Sequence, residues 1–408
     1  MKKIFIYFFE VTMVSSHSVP ANPTILRWAR EDAGLSLEEA ADRAKIHPLK
    51  PRGQKPGATP AERLQSIESG EHPLSSTLLK ALAKAYRRPE ITFFLPIPPH
   101  KEEFLADFRT VDSRPNTADS PEFSALKRRI ISLHKALKDI AEAEEEAPLA
   151  FVNSETSNSS VSSVAAAIRS VLGPDPRKVS RIRDEAEFFK ALREQAQHAG
   201  IYVILLGDLG SHHSAIPLEE FRGMCISDSL VPMIVINPND TLKARVFSLL
   251  HEICHIFIGA TGYCNGDGVI KSHYDRAQET FCNAVAAEYL VPESELIKEN
   301  FQEPLMQSID KIAKKFKVSS IVIARRAKDI HKITHSDYNY IVQTCIERAR
   351  SFRNDVRGGP DANAVMAFHL GKKLVSTLIN AASNGYIGFN DASSLLGISV
   401  ARLEKVAR

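Results

Sequence analysis

The segment His251-Glu252-Ile253-Cys254-His255 decides which fold this chain builds. On a helix, residues four apart lie on one face, so His251 and His255 can direct their imidazole nitrogens at a single metal ion. Glu252 lies about 100° further round such a helix, where its carboxylate can reach a metal-bound water without ligating the metal. Two nitrogens, one oxygen and a water form a ligand set that suits catalytic zinc. The segment therefore predicts a zinc site in which Glu252 is the general base.

The residues around this segment indicate a buried helix over 241–258. A five-residue motif can arise by chance in a chain with 14 histidines, so its surroundings decide its meaning. Apolar side chains cover much of the predicted helix surface: Phe247, Leu249, Leu250, Ile253, Cys254, Ile256 and Phe257. Two histidines and a glutamate inside such a helix are costly unless they are paired or bind a metal.

A third protein ligand must come from elsewhere in the chain. The extended motif with a glycine and a third histidine fails, because Ile258 and Thr261 occupy those two positions. The downstream candidates are Cys264, His273, Asp275 and Glu279. We favour Glu279, which lies near the start of a second predicted helix at about 274–290. Asn283 follows one turn later on the same face, where it could orient a ligand.

With these residues the sequence resembles the ImmA/IrrE metallo-endopeptidases. The family motif is His-Glu-x-x-His, followed by Glu-x-x-Ala-Asn-x-Phe-Ala-Ala-x-Leu-Leu-Met-Pro, and residues 279–292 follow the second part. The resemblance implies zinc ligation by His251, His255 and Glu279. It also places Asn283 on the asparagine of the motif.

The chain departs from this motif at three positions, with Cys282 for Ala, Val285 for Phe and Val291 for Met. We expect these replacements to suit the packing and to touch no metal ligand. The resemblance covers residues 185–350, and a C-terminal segment from Gly371 to Leu403 resembles the helical tail of longer members.

In the ImmA/IrrE family the zinc site cleaves a protein partner, typically a repressor. Two apolar runs, at 201–206 and 233–237, are predicted strands of the small sheet of a zincin-like domain. The resemblance implies that 233–237 is the edge strand that pairs with an extended substrate.

Residues 22–95 resemble the helix-turn-helix of Xre/Cro-type regulators. The residues that carry this resemblance are Ile25, Leu26, Ala29, Arg30, Gly34, Leu35, Ser36, Glu39, Ala41, Ile67, Glu68, Gly70, Leu79, Leu82 and Ala83. Longer ImmA/IrrE members carry such a domain. It is often followed by the motifs Arg-Arg-Pro, Phe-Phe-Leu and Pro-Pro, which occur here at 87–89, 93–95 and 98–99. Ser36 and Glu39 predict a capping box at the start of the second helix.

An insertion at about residues 48–58 separates the second and third helices, which normally meet across a short turn. The insertion and its surroundings are basic, so it could add phosphate contacts or displace the recognition helix. The candidate DNA-binding residues are Arg52, Lys55, Arg63, Gln65 and Ser66. Of these, only the last three look able to read base edges. The alternative is a degenerate helix-turn-helix kept as a protein-interaction module.

Composition limits the class of protein. The chain has 408 residues, 44% of them hydrophobic, and a formal net charge of +3. This near balance implies no whole-protein attraction to nucleic acid, so any basic patch must be local. Five scattered cysteines, without a Cys-x-x-Cys pair, predict reduced thiols in a cytoplasmic protein. No stretch approaches the roughly 20 apolar residues that cross a bilayer, so we expect no membrane partner.

The predicted fold class is α+β: a mostly helical multidomain chain with an N-terminal helix-turn-helix bundle and a zincin-like domain containing a small β-sheet. We expect residues 1–20 to be a disordered or mis-assigned leader, with Met13 as a plausible true start. The helix-turn-helix covers 21–96 and a helical linker region covers 97–183. The predicted domains beyond it are a zincin-like metallopeptidase at 184–300, a helical subdomain at 301–350 and a helical tail at 362–408.

The leading functional hypothesis is a zinc-dependent regulatory endopeptidase that cleaves a repressor-type protein, with double-stranded DNA as a second partner. The rival is a transcriptional regulator or antitoxin whose zincin domain binds or senses without significant proteolysis. A broad-specificity protease is a weaker alternative, because we find no secretion signal and no pro-segment. The oxyanion-stabilising group stays open among Tyr263, His273 and Tyr289.

Overall fold

A computed structural model describes residues 18–48, 57–99, 120–179, 182–210, 214–264, 273–351 and 369–399. The chain divides into two compact units. Among the described residues, the first unit comprises those within 18–99 together with 120–128, and the second comprises those within 129–399. Helices dominate and the sheets are small, which agrees with the predicted α+β class.

The first unit is built on four short helices. They are α1 (Pro23–Asp32), α2 (Leu37–Arg43), α3 (Pro60–Glu68) and α4 (Ser76–Ala85). The predicted capping box of α2 is confirmed, because the Glu39 amide donates to Ser36 Oγ and the Ser36 amide donates to the Glu39 carboxylate. Thr59 and Glu62 form a second capping box on α3. Helices α2 and α3 pack together despite the long connection between them.

The start of the described chain is ordered into this unit. Strand β1 (Ser18–Val19) pairs antiparallel with β2 (Leu74–Ser75). These two residues fall within the leader that we expected at 1–20, so the ordered domain begins earlier than the sequence predicted. A 3₁₀ helix at Glu90–Phe94 closes the unit, with Phe93 fully buried in its core.

Helices in the predicted linker region contribute to the second unit. The boundary between the units falls within α5 (Pro121–Ala143). The next helix, α6 (Val161–Leu172), is capped by Ser160 and buries Val164 and Ile168 in the same core as the metal-site helices. The Ser/Asn-rich stretch at 153–160 forms the turns that lead into α6. The short α7 (Pro176–Val179) and the longer α8 (Glu185–His198) follow.

The second unit contains a four-stranded sheet in the order β3-β5-β4-β6. The strands are β3 (Tyr202–Leu205), β4 (Gly223–Ile226), β5 (Met233–Ile236) and β6 (Gly262–Cys264). The pairing of β5 with β3 is parallel, whereas β4 pairs antiparallel with both β5 and β6.

The sheet order corrects one prediction. Strand β5 is hydrogen-bonded on both sides, so the stretch at 233–237 cannot be the edge that pairs with a substrate. No pattern in the sequence indicates β4 or β6, and only the family resemblance implied that 233–237 is an edge strand. Among the described residues, β6 forms one edge of the sheet and β3 forms the other.

Two long helices pack against each other, and the first of them also packs against this sheet. They are α9 (Leu242–Phe257), which carries the His-Glu-x-x-His segment, and α10 (His273–Leu290). Both agree with the predicted helices at 241–258 and 274–290. Further helices follow: α11 (Glu293–Leu296), α12 (Leu305–Phe316), α13 (Ser320–Asp329) and α14 (His335–Ser351).

The C-terminal helices α15 (Lys372–Ser383) and α16 (Phe389–Leu396) complete the described chain, while residues 362–368 and 400–408 of the predicted helical tail lie outside the described residues. Arg193 ties this tail to the sheet by donating to the carbonyl oxygens of Val203 and His369 at 2.7 and 2.8 Å. Gly371 has φ +84, and a Cβ there would meet the Arg193 guanidinium at 2.9 Å. No helix among the described residues is long and apolar enough to cross a membrane.

Candidate metal centre

Helix α9 holds the candidate metal ligands inside the core of the second unit. Thr241 caps the helix by accepting a hydrogen bond from the Ala244 amide at 3.3 Å. The apolar residues of α9 pack into the core, and His251, Glu252 and His255 are buried with them. Buried polar side chains need partners, because an unpaired one costs free energy. The partners must come from the elements packed against α9.

Helix α10 supplies the third candidate ligand. The Glu279 carboxylate lies between the two imidazoles, with one oxygen 3.1 Å from His251 Nε2 and the other 3.1 Å from His255 Nε2. The two Nε2 atoms are 2.9 Å apart. His251, His255 and Glu279 are therefore brought together as the sequence predicted.

The geometry of these three groups fits a zinc ion. Ligands at about 2.1 Å from a tetrahedral zinc lie about 3.4 Å from one another, a few tenths of an ångström more than the separations of 2.9–3.1 Å found here. Two imidazole nitrogens and a carboxylate oxygen are also donors that zinc accepts. The Glu279 side chain is 23% exposed against 6% for His251, so the centre is more open on the α10 side.

Glu252 lies beside this triangle in a space left by a glycine. A Cβ at Gly223, the first residue of β4, would stand 2.5 Å from Glu252 Oε1. Neither carboxylate oxygen has a hydrogen-bond partner at normal geometry among the described residues. The Cys225 thiol is near the carboxylate, but its geometry favours donation to the Ala260 carbonyl oxygen at 3.3 Å. A buried carboxylate in this position is placed to accept a proton from a water at the centre.

The electrostatics of the centre favour a positive charge. Burial raises the pKa of Glu252. Burial alone would lower the pKa of His251, but the Glu279 hydrogen bond and the charges of Glu252 and Glu279 raise it above its ordinary value. Burial alone would raise the pKa of Glu279, but hydrogen bonds from both histidines hold it well below its usual range. Two carboxylates in an apolar core thus attract a proton or a metal cation.

One residue in the second half of the family motif, at 279–292, contacts a candidate metal ligand, and our sequence analysis did not predict this contact. Cys282, fully buried on α10, has its Sγ 3.6 Å from His255 Nδ1. Our expectation that the Cys282 replacement touches no ligand is therefore wrong. The reason is helical geometry: positions three apart on α10 both face α9. Asn283, the predicted supporting residue, is exposed one residue further on, and its role stays a prediction.

The remaining candidates have different positions. The side chains of Cys264, His273, Asp275 and Tyr263 lie outside the described part of the structure. Tyr289 is fully buried near the end of α10, where the Arg169 guanidinium lies 5.0 Å from its ring centre. Ten helical residues separate it from Glu279, a rise of about 15 Å. Tyr289 therefore cannot be the oxyanion-stabilising group.

The predicted DNA-binding residues fall in and near α3. Arg52 and Lys55 lie outside the described residues. Arg63 donates to the His47 carbonyl oxygen at 3.0 Å, and the Ser66 hydroxyl donates to the Arg63 carbonyl oxygen at 2.8 Å. Gln65 is exposed. Their contact with DNA stays a prediction.

Comparison with known proteins supports the metal centre. Residues 196–328 match the family model described as Peptidase_M78, IrrE N-terminal-like domain. The match includes both histidines, Glu252, Glu279 and Cys282, and it excludes the first unit and the two C-terminal helices. No curated protein matches the chain. The matched segment supports the resemblance to the ImmA/IrrE metallopeptidases, a family that is typically zinc-dependent.

Proposed function

We propose that this protein is a zinc-dependent regulatory endopeptidase that cleaves a repressor-type protein. The observation that carries the proposal is the convergence of His251, His255 and Glu279 beside the buried carboxylate of Glu252. Zinc bound there would supply a Lewis acid and lower the pKa of a water. His251, His255 and Glu279 hold the metal, while Glu252 takes the proton and returns it to the leaving amine.

One edge of the sheet, unpaired in the part of the chain that the structure describes, lies near Glu252 and supports an extended peptide as the substrate. Gly223 pairs with Cys264 of β6 and also abuts Glu252, so β6 passes next to the carboxylate. Among the described residues, no strand pairs with the outer edge of β6. An extended peptide could add to that edge through main-chain hydrogen bonds. Binding by addition to the sheet favours a peptide substrate over a small-molecule substrate.

A Glu252→Gln variant tests the proposed reaction. We expect it to keep zinc and to cleave at a rate lower by about 10²–10⁴-fold, the usual contribution of a general base. Glu347→Gln, an exposed glutamate on α14, is the matched control and should cleave normally. The assay would follow cleavage of a repressor-type protein encoded beside this gene by mass spectrometry.

Cleavage by Glu252→Gln at the wild-type rate would exclude the mechanism. Normal regulation in cells by the same variant would instead favour the rival, a regulator or antitoxin whose metal domain binds without cutting.

We further propose that the first unit binds DNA and brings the peptidase to its repressor. The packing of α2 against α3 and the exposure of Gln65 on α3 support this role. A Gln65→Ala variant should bind the promoter of its own gene more weakly, by about 1–3 kcal/mol if Gln65 reads a base. Gln302→Ala, exposed in the second unit, serves as the control. Equal affinity of all three proteins would exclude base reading by Gln65.

A further inference from the structure

The two ring nitrogens of His255 contact the same turn of α10. Nε2 lies 3.1 Å from the Glu279 carboxylate, and Nδ1 lies 3.6 Å from Cys282 Sγ. Glu279 and Cys282 are three residues apart, so they project from one face of the helix. The ring is thus enclosed from both ends by a single helical turn.

This arrangement sets which nitrogen of His255 carries a proton. An imidazole that offers Nε2 to a metal is neutral and keeps its hydrogen on Nδ1. Metal-binding histidines almost always donate this second N–H to an acceptor, which fixes the ring and makes it a better ligand. The Cys282 sulfur lies within hydrogen-bond range of Nδ1 and can accept, although it is a weaker acceptor than oxygen.

We propose that Cys282 is a positioning residue that accepts the Nδ1–H hydrogen bond of His255 and holds its ring for zinc. The inference rests on the proposed zinc site. It goes beyond the family motif, which has Ala at this position and therefore no acceptor there. Because Cys282 is fully buried, its thiol cannot rotate into solvent, and it keeps this contact at little cost in entropy.

Replacement of Cys282 should weaken zinc binding without disrupting the fold. Cys282→Ala introduces the residue of the family motif, so we expect it to fold. Loss of an outer partner of a metal ligand typically lowers metal affinity 10–100-fold, and we expect a loss of about 10-fold because sulfur accepts weakly. Cys282→Ser restores an acceptor and should recover part of the affinity. Cys345→Ala, a half-buried thiol on α14, is the control.

The experiment measures the zinc dissociation constant of the full chain by competition with a chelator. The visible absorption of the cobalt-loaded protein gives a second readout, because rotation of the His255 ring should shift its bands in Cys282→Ala. The melting temperature of the metal-free protein reports any purely structural loss.

Equal zinc affinity and equal cobalt spectra in wild type and Cys282→Ala would overturn the inference, whatever the melting temperatures. So would a Ser variant no better than the Ala variant. If the wild-type chain itself fails to bind zinc, the proposed function fails instead, and the two failures are distinguishable.

Discussion

Each unit of this protein buries a cluster of charged or titratable side chains, and the two clusters are satisfied in different ways. In the first unit, Arg30 makes two hydrogen bonds to the Glu68 carboxylate at 2.8 and 2.9 Å and one to the Leu35 carbonyl oxygen. In the second unit, His251, His255 and Glu279 point at one another, and Glu252 lacks a conventional partner among the described residues. The first cluster satisfies itself, whereas we propose that a metal cation completes the second.

This difference indicates that the first cluster contributes to stability and that the second is suited to binding a ligand. A bidentate arginine–carboxylate pair fixes its own geometry and contributes to the fold. The side chains of the second cluster lie within 3.1 Å of one another beside a buried carboxylate. The contribution of this cluster to the free energy of unfolding therefore depends on what binds between its members. The predictions that follow test this contrast.

The largest effect should come from breaking the ion pair in the first unit. Arg30→Met leaves Glu68 buried without its partner, which should lower the free energy of unfolding by about 3–5 kcal/mol. The chain's single tryptophan, Trp28 on α1, reports this unit by fluorescence in a denaturant titration. The double variant Arg30→Met/Glu68→Leu should regain much of the loss, and zinc affinity should stay unchanged. If Arg30→Met alone were as stable as wild type, the Arg30–Glu68 ion pair would not stabilise the first unit.

Zinc should stabilise the second unit alone. At a free zinc concentration of 100 times Kd, its free energy of unfolding should rise by about 2.7 kcal/mol. Hydrogen exchange of α9 would show this increase, and the Trp28 transition would not move. His251→Ala is the control, in which zinc should have little effect. Equal protection of α9 and of the first unit would show that zinc acts elsewhere.

Gly223→Ala should misplace the general base while keeping the metal. The new Cβ would stand 2.5 Å from Glu252 Oε1, so the carboxylate must move. A displacement of about 1 Å at a catalytic group can lower the rate about 100-fold, and we expect this loss in kcat/KM. Gly388→Ala, at an exposed glycine with an ordinary φ of −74, is the control for the added methyl group, which there meets only the end of the flexible Asp391 side chain at 3.0 Å. Unchanged cleavage by Gly223→Ala would show that Glu252 does not need its present position.

The smallest effect concerns Asp175, a self-satisfied carboxylate in the same unit as the metal centre. Burial opposes its charge, but hydrogen bonds from Arg177 hold its pKa below the ordinary value. Its contribution to stability is therefore full above the unfolded pKa of about 3.9 and disappears as pH falls through the lower folded pKa. Asp175→Asn should be less stable at neutral pH, and the two stability curves should converge in acid. A difference in stability between wild type and Asp175→Asn that stays constant with pH would exclude a lowered pKa of Asp175 as its cause.

Much of the metal centre could be predicted because its signals are local. His251, Glu252 and His255 lie within about one helical turn, and Glu279 lies in the first half of the next long helix. Helix starts were also predictable where a capping residue marked them, as at Ser36. Residue spacing therefore predicted that the two histidines converge, while the choice of Glu279 among four candidates also rested on the family resemblance.

The rest depends on contacts between distant segments. Strand β4 has four residues, and only its pairing with β5 and β6 shows that β5 lies inside the sheet. Cys282 looked like a packing replacement because its contact with His255 requires the approach of α10 to α9. Gly223 likewise gave no signal until the fold placed it against Glu252.

Zinc content measures the central claim most directly. The chain would be stripped with a chelator, reloaded with zinc, passed through a gel-filtration column and assayed for metal by mass spectrometry. Wild type and Glu252→Gln should each retain one zinc per chain, while His251→Ala and Glu279→Ala should retain little. Equal zinc in all four proteins, or none in the wild type, would contradict a metal centre formed by His251, His255 and Glu279.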